Sequence, residues 1–380
     1  MPGPPNRLIH PLARVMTFCW LACSVVALAA PQPAPSGVQE VIARLGLKES
    51  ARPVSEYPGW RRPEKILVRN IRPDLLPSIQ DAVPGVEVIS ADSAEEATSR
   101  VAGVDVSLGF CTEALLEAGA DIRWIQVFSA GVERCVTIPA INDRRVLVTN
   151  MQRVTGPIIA EHVLAMMFGF SRALDFYIPE RMAGRWTRER PDGVRMFPLV
   201  GKTVLVVGLG GIGTEVARRA HALGMRVVAT RRSSREGPDY VDRVGLPEEL
   251  SMLAAGADFI VNTAPLTEAT RGLFDKRFFA AAKNGAYFIN VGRGGSVVQE
   301  DLVDALRSGQ IAGAGLDVTD PEPLPADSPL WKMQNVILTP HVATASDSSA
   351  DEALLIVVEN VRRYVAGERM LSVVDLDEGY

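Results

Sequence analysis

Val204-Leu205-Val206-Val207 runs without interruption into Gly208-Leu209-Gly210-Gly211-Ile212-Gly213, and a helical stretch over 214–223 follows. A G-x-G-x-x-G turn alone constrains little, because glycines cluster in many turns. Between an apolar β run and a helix it constrains a great deal, since that is the context its mechanism needs. Gly208 permits the tight turn, Gly210 lets the backbone approach a pyrophosphate, and Gly213 lets helix and strand pack closely. With Gly211 and Ile212, the helix N-terminus offers N–H groups and positive dipole to the phosphates. A dinucleotide-binding parallel sheet follows from this one element.

The pattern around it agrees. Strands are predicted at 203–207, 226–230, 258–263, 286–291, 312–317 and 336–339, most of them separated by helices, as in a doubly wound sheet. Upstream, 65–69, 86–90, 104–108 and 122–128 read as a second set of strands, with a helix around 115–117. An apolar helix opens at Pro157 and runs to about 174, an Arg- and Pro-rich loop covers 184–198, and an amphipathic helix spans 346–366, closed by Gly367. The chain is therefore expected to be α/β with two domains. A doubly wound cofactor domain at 157–344 is inserted in a smaller flavodoxin-like substrate domain, 60–156 plus 345–380, with a linker at 30–59. The cleft lies at their junction.

At 380 residues and 47% hydrophobic, the chain can bury two such cores. The formal charge of −5 comes with no basic tract, which argues against a nucleic-acid partner. Cysteines at 19, 23, 111 and 135 form neither a disulfide framework nor a metal-binding spacing, so Cys111 and Cys135 read as buried thiols and no metal is expected.

The N-terminus is different in kind. Arg7 and Arg14 are the only charged residues before Glu40, an uncharged apolar run follows, and it ends in Ala27-Leu28-Ala29. This is the pattern of a cleaved secretory signal over 1–29, and predicts export with no membrane span left after processing. Pro31, Pro33 and Pro35 then stop any helix. The competing reading is a start assigned too far upstream, which would leave the protein cytoplasmic. Against it, no methionine occurs between Met16 and Met151. A nicotinamide supply is normally intracellular, and that sets the location against the chemistry.

The strand ending at Thr230 leads into Arg231, Arg232 and Ser233, where an acidic residue would bond the ribose 2′-OH of NAD. Two guanidiniums and a hydroxyl suit a 2′-phosphate, so NADP is favoured over NAD; the alternative is a solvated basic turn that accepts either.

Open α/β sheets bind ligands beyond the carboxyl ends of their strands. Three such ends carry Arg293, Glu322 and His341. His341 is the candidate general acid/base, because imidazole titrates near neutral pH. His10 falls in the signal, and His162 and His221 lie within helices. Glu322 would hold the imidazole, and Arg293 offers a planar fork for a carboxylate and can polarise an adjacent carbonyl. Singly each is an ordinary loop residue; together they suit proton and hydride chemistry on a 2-oxo acid.

These residues, with Gly201-Lys202-Thr203, Asn262-Thr263-Ala264-Pro265-Leu266-Thr267, Asn290-Val291-Gly292-Arg293-Gly294, Gly315-Leu316-Asp317-Val318, Glu322-Pro323-Leu324-Pro325 and Leu338-Thr339-Pro340-His341, resemble the D-isomer-specific 2-hydroxyacid dehydrogenases over about 60–380. The resemblance implies hydride transfer between NAD(P)(H) and C2 of a small 2-oxo or 2-hydroxy acid, with glyoxylate- or hydroxypyruvate-like acids favoured. It makes Arg293, Glu322 and His341 the catalytic set. It assigns cofactor contacts to Thr155, Thr263, Ala264, Pro265, Val291, Gly292, Arg293, Asp317 and His341, and substrate contacts to Ser129, Ala130, Gly131 and Arg293. It also implies a homodimer. Arg231 departs from the family's frequent aspartate, and Glu322 argues against formate dehydrogenase, which has glutamine there. A corepressor-like dinucleotide sensor is the alternative function. An exported relic that folds without cofactor is a third.

Overall fold

Two parallel sheets organise the chain in a computed structural model, which describes Gly3 and residues 37–347 and 349–378. The signal expected over 1–29 lies outside the described residues, Gly3 apart.

The first sheet contains β1 (Lys65–Arg69), β2 (Glu87–Ala91), β3 (Val106–Leu108), β4 (Trp124–Gln126) and β5 (Leu147–Thr149), in the order β2-β1-β3-β4-β5. The second contains β6 (Thr203–Val207), β7 (Arg226–Thr230), β8 (Arg243–Gly245), β9 (Phe259–Asn262), β10 (Ala286–Asn290), β11 (Ile311–Leu316) and β12 (Val336–Leu338), in the order β12-β11-β10-β9-β6-β7-β8. All pairings within the two sheets are parallel.

Strands buried on both faces need continuous apolar runs, and β6 and β9 supply them. Successive side chains alternate between two cores. Leu205, Ile260 and Phe288 pack on one face of the second sheet; Val204, Val206, Val261 and Ile289 pack on the other. Its order reverses between β6 and β9, which opens a crevice above their carboxyl ends.

Several boundaries differ from expectation. The β run at 122–128 contributes only Trp124–Gln126, because its ends turn into loops, and β5 and β8 are short strands that the pattern did not announce. The apolar helix stops at Ser171, since Ala173 takes a left-handed φ of 55°, and a second helix, Leu174–Met182, starts there. The helix after the glycine turn begins at Gly211, so Gly213 lies inside its first turn. The helix Gly156–Ser171 packs on Gly211–Ala222, and the helix Ser349–Ala366 packs on Leu75–Ala82, so each sheet has one of the two long helices against it. The tail pairs back through Val373 to Thr149 in β5.

The cysteine expectation is overturned. Cys111 and Cys135 are joined as a disulfide, with their Cα atoms 5.5 Å apart. Cys111 follows β3 and Cys135 follows β4, and these strands are neighbours in the sheet. Their loops converge at one edge, a proximity that a spacing of 24 residues does not reveal. Among the described residues, no single helix is long and apolar enough to cross a membrane.

Candidate active site

The glycine turn is built by close backbone approach. Gly208 has a φ of 94°, and a Cβ there would fall 2.9 Å from Ala264 N. A Cβ on Gly213 would fall 2.2 Å from Gly208 O, so only glycine permits this packing of helix on strand. Thr263 Oγ1 donates to Gly208 O at 2.7 Å and ties the loop after β9 to the turn. No side chain caps the helix at Gly210, and a Cβ there would meet nothing within 4 Å. The cradle thus has open space at Gly210 and N–H groups from Gly211, Ile212 and Gly213, which fits a pyrophosphate. Thr155 precedes the helix Gly156–Ser171, whose first residue lies against this turn: a Cβ on Gly156 would sit 3.3 Å from Gly211 O.

At the end of β7, Arg231 Nη1 donates to Glu236 O at 3.0 Å, Arg232 is ion-paired with Glu378, and Ser233 is exposed. The basic pair is therefore present at the carboxyl end of β7, with both guanidiniums already engaged.

The three chemistry-bearing loops follow β10, β11 and β12, which are consecutive in the sheet, so parallel pairing delivers them to one edge. A buried polar network fixes the first. Asn262 Nδ2 donates to Asn290 Oδ1 at 2.9 Å and to Ser296 Oγ at 2.8 Å. Ser296 Oγ and Asn290 Nδ2 both donate to Arg293 O, and Gly292 N donates to Asn290 Oδ1. Val291 N donates to Asn262 O across the strands. Ala264 N donates to Asn262 Oδ1, and Pro265 O accepts from Thr270, so the same network shapes the loop beside the dinucleotide.

His341 also sits at a left-handed φ, 55°, in a turn held by Asp317. His341 N donates to Asp317 O at 2.8 Å. The Asp317 carboxylate, 3% exposed as a residue, accepts from Thr339 Oγ1 at 2.7 Å, Val342 N at 2.9 Å and Ala343 N at 3.1 Å. Expected to face the cofactor, Asp317 anchors the loop that presents His341. His341 Nδ1 lies 2.9 Å from Glu322 Oε2, which leaves Nε2 for proton exchange.

Arg293 makes its ion pair elsewhere. Its Nε lies 3.0 Å from Glu133 Oε1, in the loop region that follows β4. A Cβ on Gly131 would fall 1.6 Å from Arg293 Nη2, so the guanidinium is pressed against the 129–131 loop. That loop is braced: Ser129 Oγ donates to Gly131 O at 2.7 Å, and Asn150 Nδ2 donates to Ala130 O at 2.7 Å. Residues from both sheets therefore meet where a carboxylate and an adjacent carbonyl could be held.

Sequence reasoning missed Glu133, the disulfide beside it, and His162. His162, set aside as a helix residue, has Nε2 2.9 Å from Thr339 Oγ1, behind the His341 turn. A helical histidine gives no local sign of a contact so far along the chain.

A family model described as the D-isomer specific 2-hydroxyacid dehydrogenase NAD binding domain matches residues 164–343. The chain is 37% identical over 259 residues to glyoxylate reductase/hydroxypyruvate reductase of Homo sapiens, covering 67% of this chain and 77% of that one. Glyoxylate/hydroxypyruvate reductase B of Escherichia fergusonii is 32% identical, over 79% of this chain and 94% of its own. A D-isomer specific 2-hydroxyacid dehydrogenase from Xanthobacter autotrophicus Py2, solved with NADPH and MES, superposes with a TM-score of 0.73 at 30% identity, covering 84% of this chain and all of that one. An NADPH-dependent glyoxylate/hydroxypyruvate reductase from Sinorhizobium meliloti, solved with NADP and sulfate, gives 0.72 at 29% identity, over 83% and 100%.

Proposed function

The chain belongs to the D-isomer specific 2-hydroxyacid dehydrogenase family, and on that premise we propose that it reduces glyoxylate, hydroxypyruvate or a close relative with NADPH. It is an oxidoreductase acting between NAD(P)(H) and C2 of a small 2-oxo or 2-hydroxy acid. The observation that carries the mechanism is the His341–Glu322 pair at 2.9 Å, on the loops after the two strands next along the sheet from that of Arg293.

Bound in the glycine cradle, the dinucleotide supplies the hydride for reduction. Arg293 and the backbone of Ser129, Ala130 and Gly131 hold the substrate carboxylate, and Arg293 polarises the C2 carbonyl. Glu322 accepts from Nδ1–H of His341, so the imidazole keeps Nε2 aimed at the substrate oxygen and gives it a proton as negative charge builds there. In oxidation the same nitrogen takes the proton back. Arg231 and Arg232 would face a 2′-phosphate.

A panel of 2-oxo acids assayed with NADPH and NADH tests this reading. Turnover on glyoxylate or hydroxypyruvate, faster with NADPH, is expected. Dinucleotide binding without turnover on any oxo acid would favour the corepressor alternative.

Two further features belong to the same proposal. Export is supported by the signal pattern over 1–29 and by the Cys111–Cys135 disulfide, a cross-link typical of oxidising compartments. A native N-terminus at or near Ala30 is expected; peptides from residues 1–20 in the native protein would refute it. A homodimer is supported by the apolar residues Ile178, Met182 and Trp186, which are 50%, 77% and 95% exposed along one stretch. Light scattering should give twice the chain mass.

A further inference from the structure

Arg293 is gripped on two sides before any substrate arrives. Nε lies 3.0 Å and Nη2 3.5 Å from the two oxygens of Glu133, while Nη1 donates to Gly292 O at 2.7 Å. A guanidinium carries five N–H groups, one on Nε and two on each Nη. The two grips use flanking donors and leave one N–H on Nη1 and one on Nη2, a fork for a single carboxylate.

Glu133 opens the short helix Glu133–Val136, and Cys135 in the same turn is disulfide-bonded to Cys111 in the loop after β3. The cross-link therefore joins the two loops that border the substrate region, two residues from the carboxylate that grips Arg293. Gly131, against which the guanidinium rests, lies two residues to the other side.

We propose that Glu133 is a positioning residue for Arg293, and that the Cys111–Cys135 disulfide holds Glu133 in place, so that affinity for the oxo acid depends on this bond. The proposal rests on Arg293 binding a 2-oxo acid. Its physical competitor is a carboxylate that merely occupies Arg293 until substrate displaces it. The two differ in sign: a positioning group lowers KM for the oxo acid, whereas a competing group raises it.

The test is steady-state reduction of hydroxypyruvate or glyoxylate at saturating NADPH, with NADPH affinity measured separately by fluorescence. Glu133→Gln should raise KM for the oxo acid about tenfold, equivalent to about 1.4 kcal/mol. Glu133→Asp, which keeps the charge, should recover part of the loss, and NADPH affinity should stay within about twofold in both. Cys111→Ser with Cys135→Ser should raise the same KM and add little in a Glu133→Gln background, since both act through one contact.

A dithiol added to the unaltered enzyme provides a second route that needs no substitution. The S–S bond takes two electrons and two protons and opens to two thiols, while the dithiol is oxidised to its own disulfide. KM should rise in the unaltered enzyme and stay fixed in the variant that lacks Cys111 and Cys135. An unchanged or lower KM in Glu133→Gln overturns the positioning role, and a KM indifferent to dithiol overturns the role of the cross-link. Absence of turnover with every oxo acid in the unaltered, oxidised enzyme would overturn the reaction and this inference together.

Discussion

The carboxyl ends of the two sheets do different work with one architecture. On the second sheet, the dinucleotide cradle is backbone against backbone: Gly208 against Ala264, and Gly213 against Gly208. On the first sheet, the 129–131 loop is braced by Asn150 and meets a side chain that belongs to the other sheet, Arg293, which pairs with Glu133 close to a disulfide. A phosphate is recognised by the chain itself, through N–H groups that every residue carries. A small oxo acid has to be recognised by a side chain from one sheet together with a backbone loop from the other. Substitution in the cradle should therefore damage cofactor binding and folding together, while substitution across the junction should damage substrate binding and rate alone.

The largest separation is expected from His341→Ala. Loss of a positioned general acid typically costs 10²–10⁴-fold, and kcat should fall on about that scale. Affinity for NADPH should stay within about threefold, because the pyrophosphate cradle lies on other loops. A large loss of NADPH affinity measured by titration would show that the two sites are not separable.

Two glycines sharpen the contrast. Gly213→Ala puts a Cβ 2.2 Å from Gly208 O, which is backbone and cannot yield cheaply. It should cost about 1–3 kcal/mol in stability and most of the dinucleotide affinity. Gly131→Ala puts a Cβ 1.6 Å from Arg293 Nη2, the end of a side chain that can swing away. The melting temperature should hardly move, whereas kcat/KM for the oxo acid should fall at least about tenfold. Equal loss of stability in both variants would erase the difference drawn between the two edges.

The same contrast explains what could be read in advance. The β6 run and glycine turn announce themselves locally, because strand, turn and helix are contiguous and each glycine has a steric reason to be there. Arg293, Glu322 and His341 were legible because parallel strands must end at one edge. Glu133 was not, since its partner is 160 residues away and a glutamate opening a four-residue helix has no period or cap to mark it. The disulfide was hidden for the same reason: the proximity of Cys111 and Cys135 comes from the pairing of β3 with β4. Short edge strands such as β8, with three residues, fall below the length at which alternation can be seen. Asp317 is a cofactor contact by resemblance alone, and its bonds to the His341 turn are visible only when β11 and β12 are placed side by side.

Arg231→Asp tests the ribose end, where recognition does use side chains. Arg231 already donates to Glu236 O at 3.0 Å, so a 2′-phosphate gains one charge-assisted partner at the cost of a loop contact. A loss of about tenfold in NADPH affinity, about 1.4 kcal/mol, is expected, with NADH affinity unchanged or improved. If the unaltered enzyme uses both cofactors with equal kcat/KM, the basic pair faces solvent and plays no part in cofactor choice.

The smallest effect belongs to the opposite edge of the second sheet, where no ligand is expected. Burial pushes the Asp258 carboxyl up, but hydrogen bonds from Lys283 and Thr203 N, with the charges of Lys283 and Lys202, outweigh it, and the net direction is down. Lys283 Nζ lies 2.7 Å away and Thr203 N 2.9 Å, at the start of β6. A carboxyl lowered in the folded state stabilises it above the unfolded group's value, about 4, and that contribution disappears as pH falls through the lower folded value. Asp258→Asn keeps an acceptor for Thr203 and loses the charge, so it should cost about 0.5 kcal/mol at pH 7, the scale of a partly exposed ion pair. The difference in melting temperature from the unaltered chain should begin to shrink below about pH 4 and close once pH has fallen through the lower folded value, where both carry a neutral group. Catalysis should not change at any pH, because this edge lies a full strand length from the loops that carry Arg293 and His341. A stability gap that persists unchanged into acid would mean that the loss came from packing around the new amide and that the carboxylate's charge contributes nothing there.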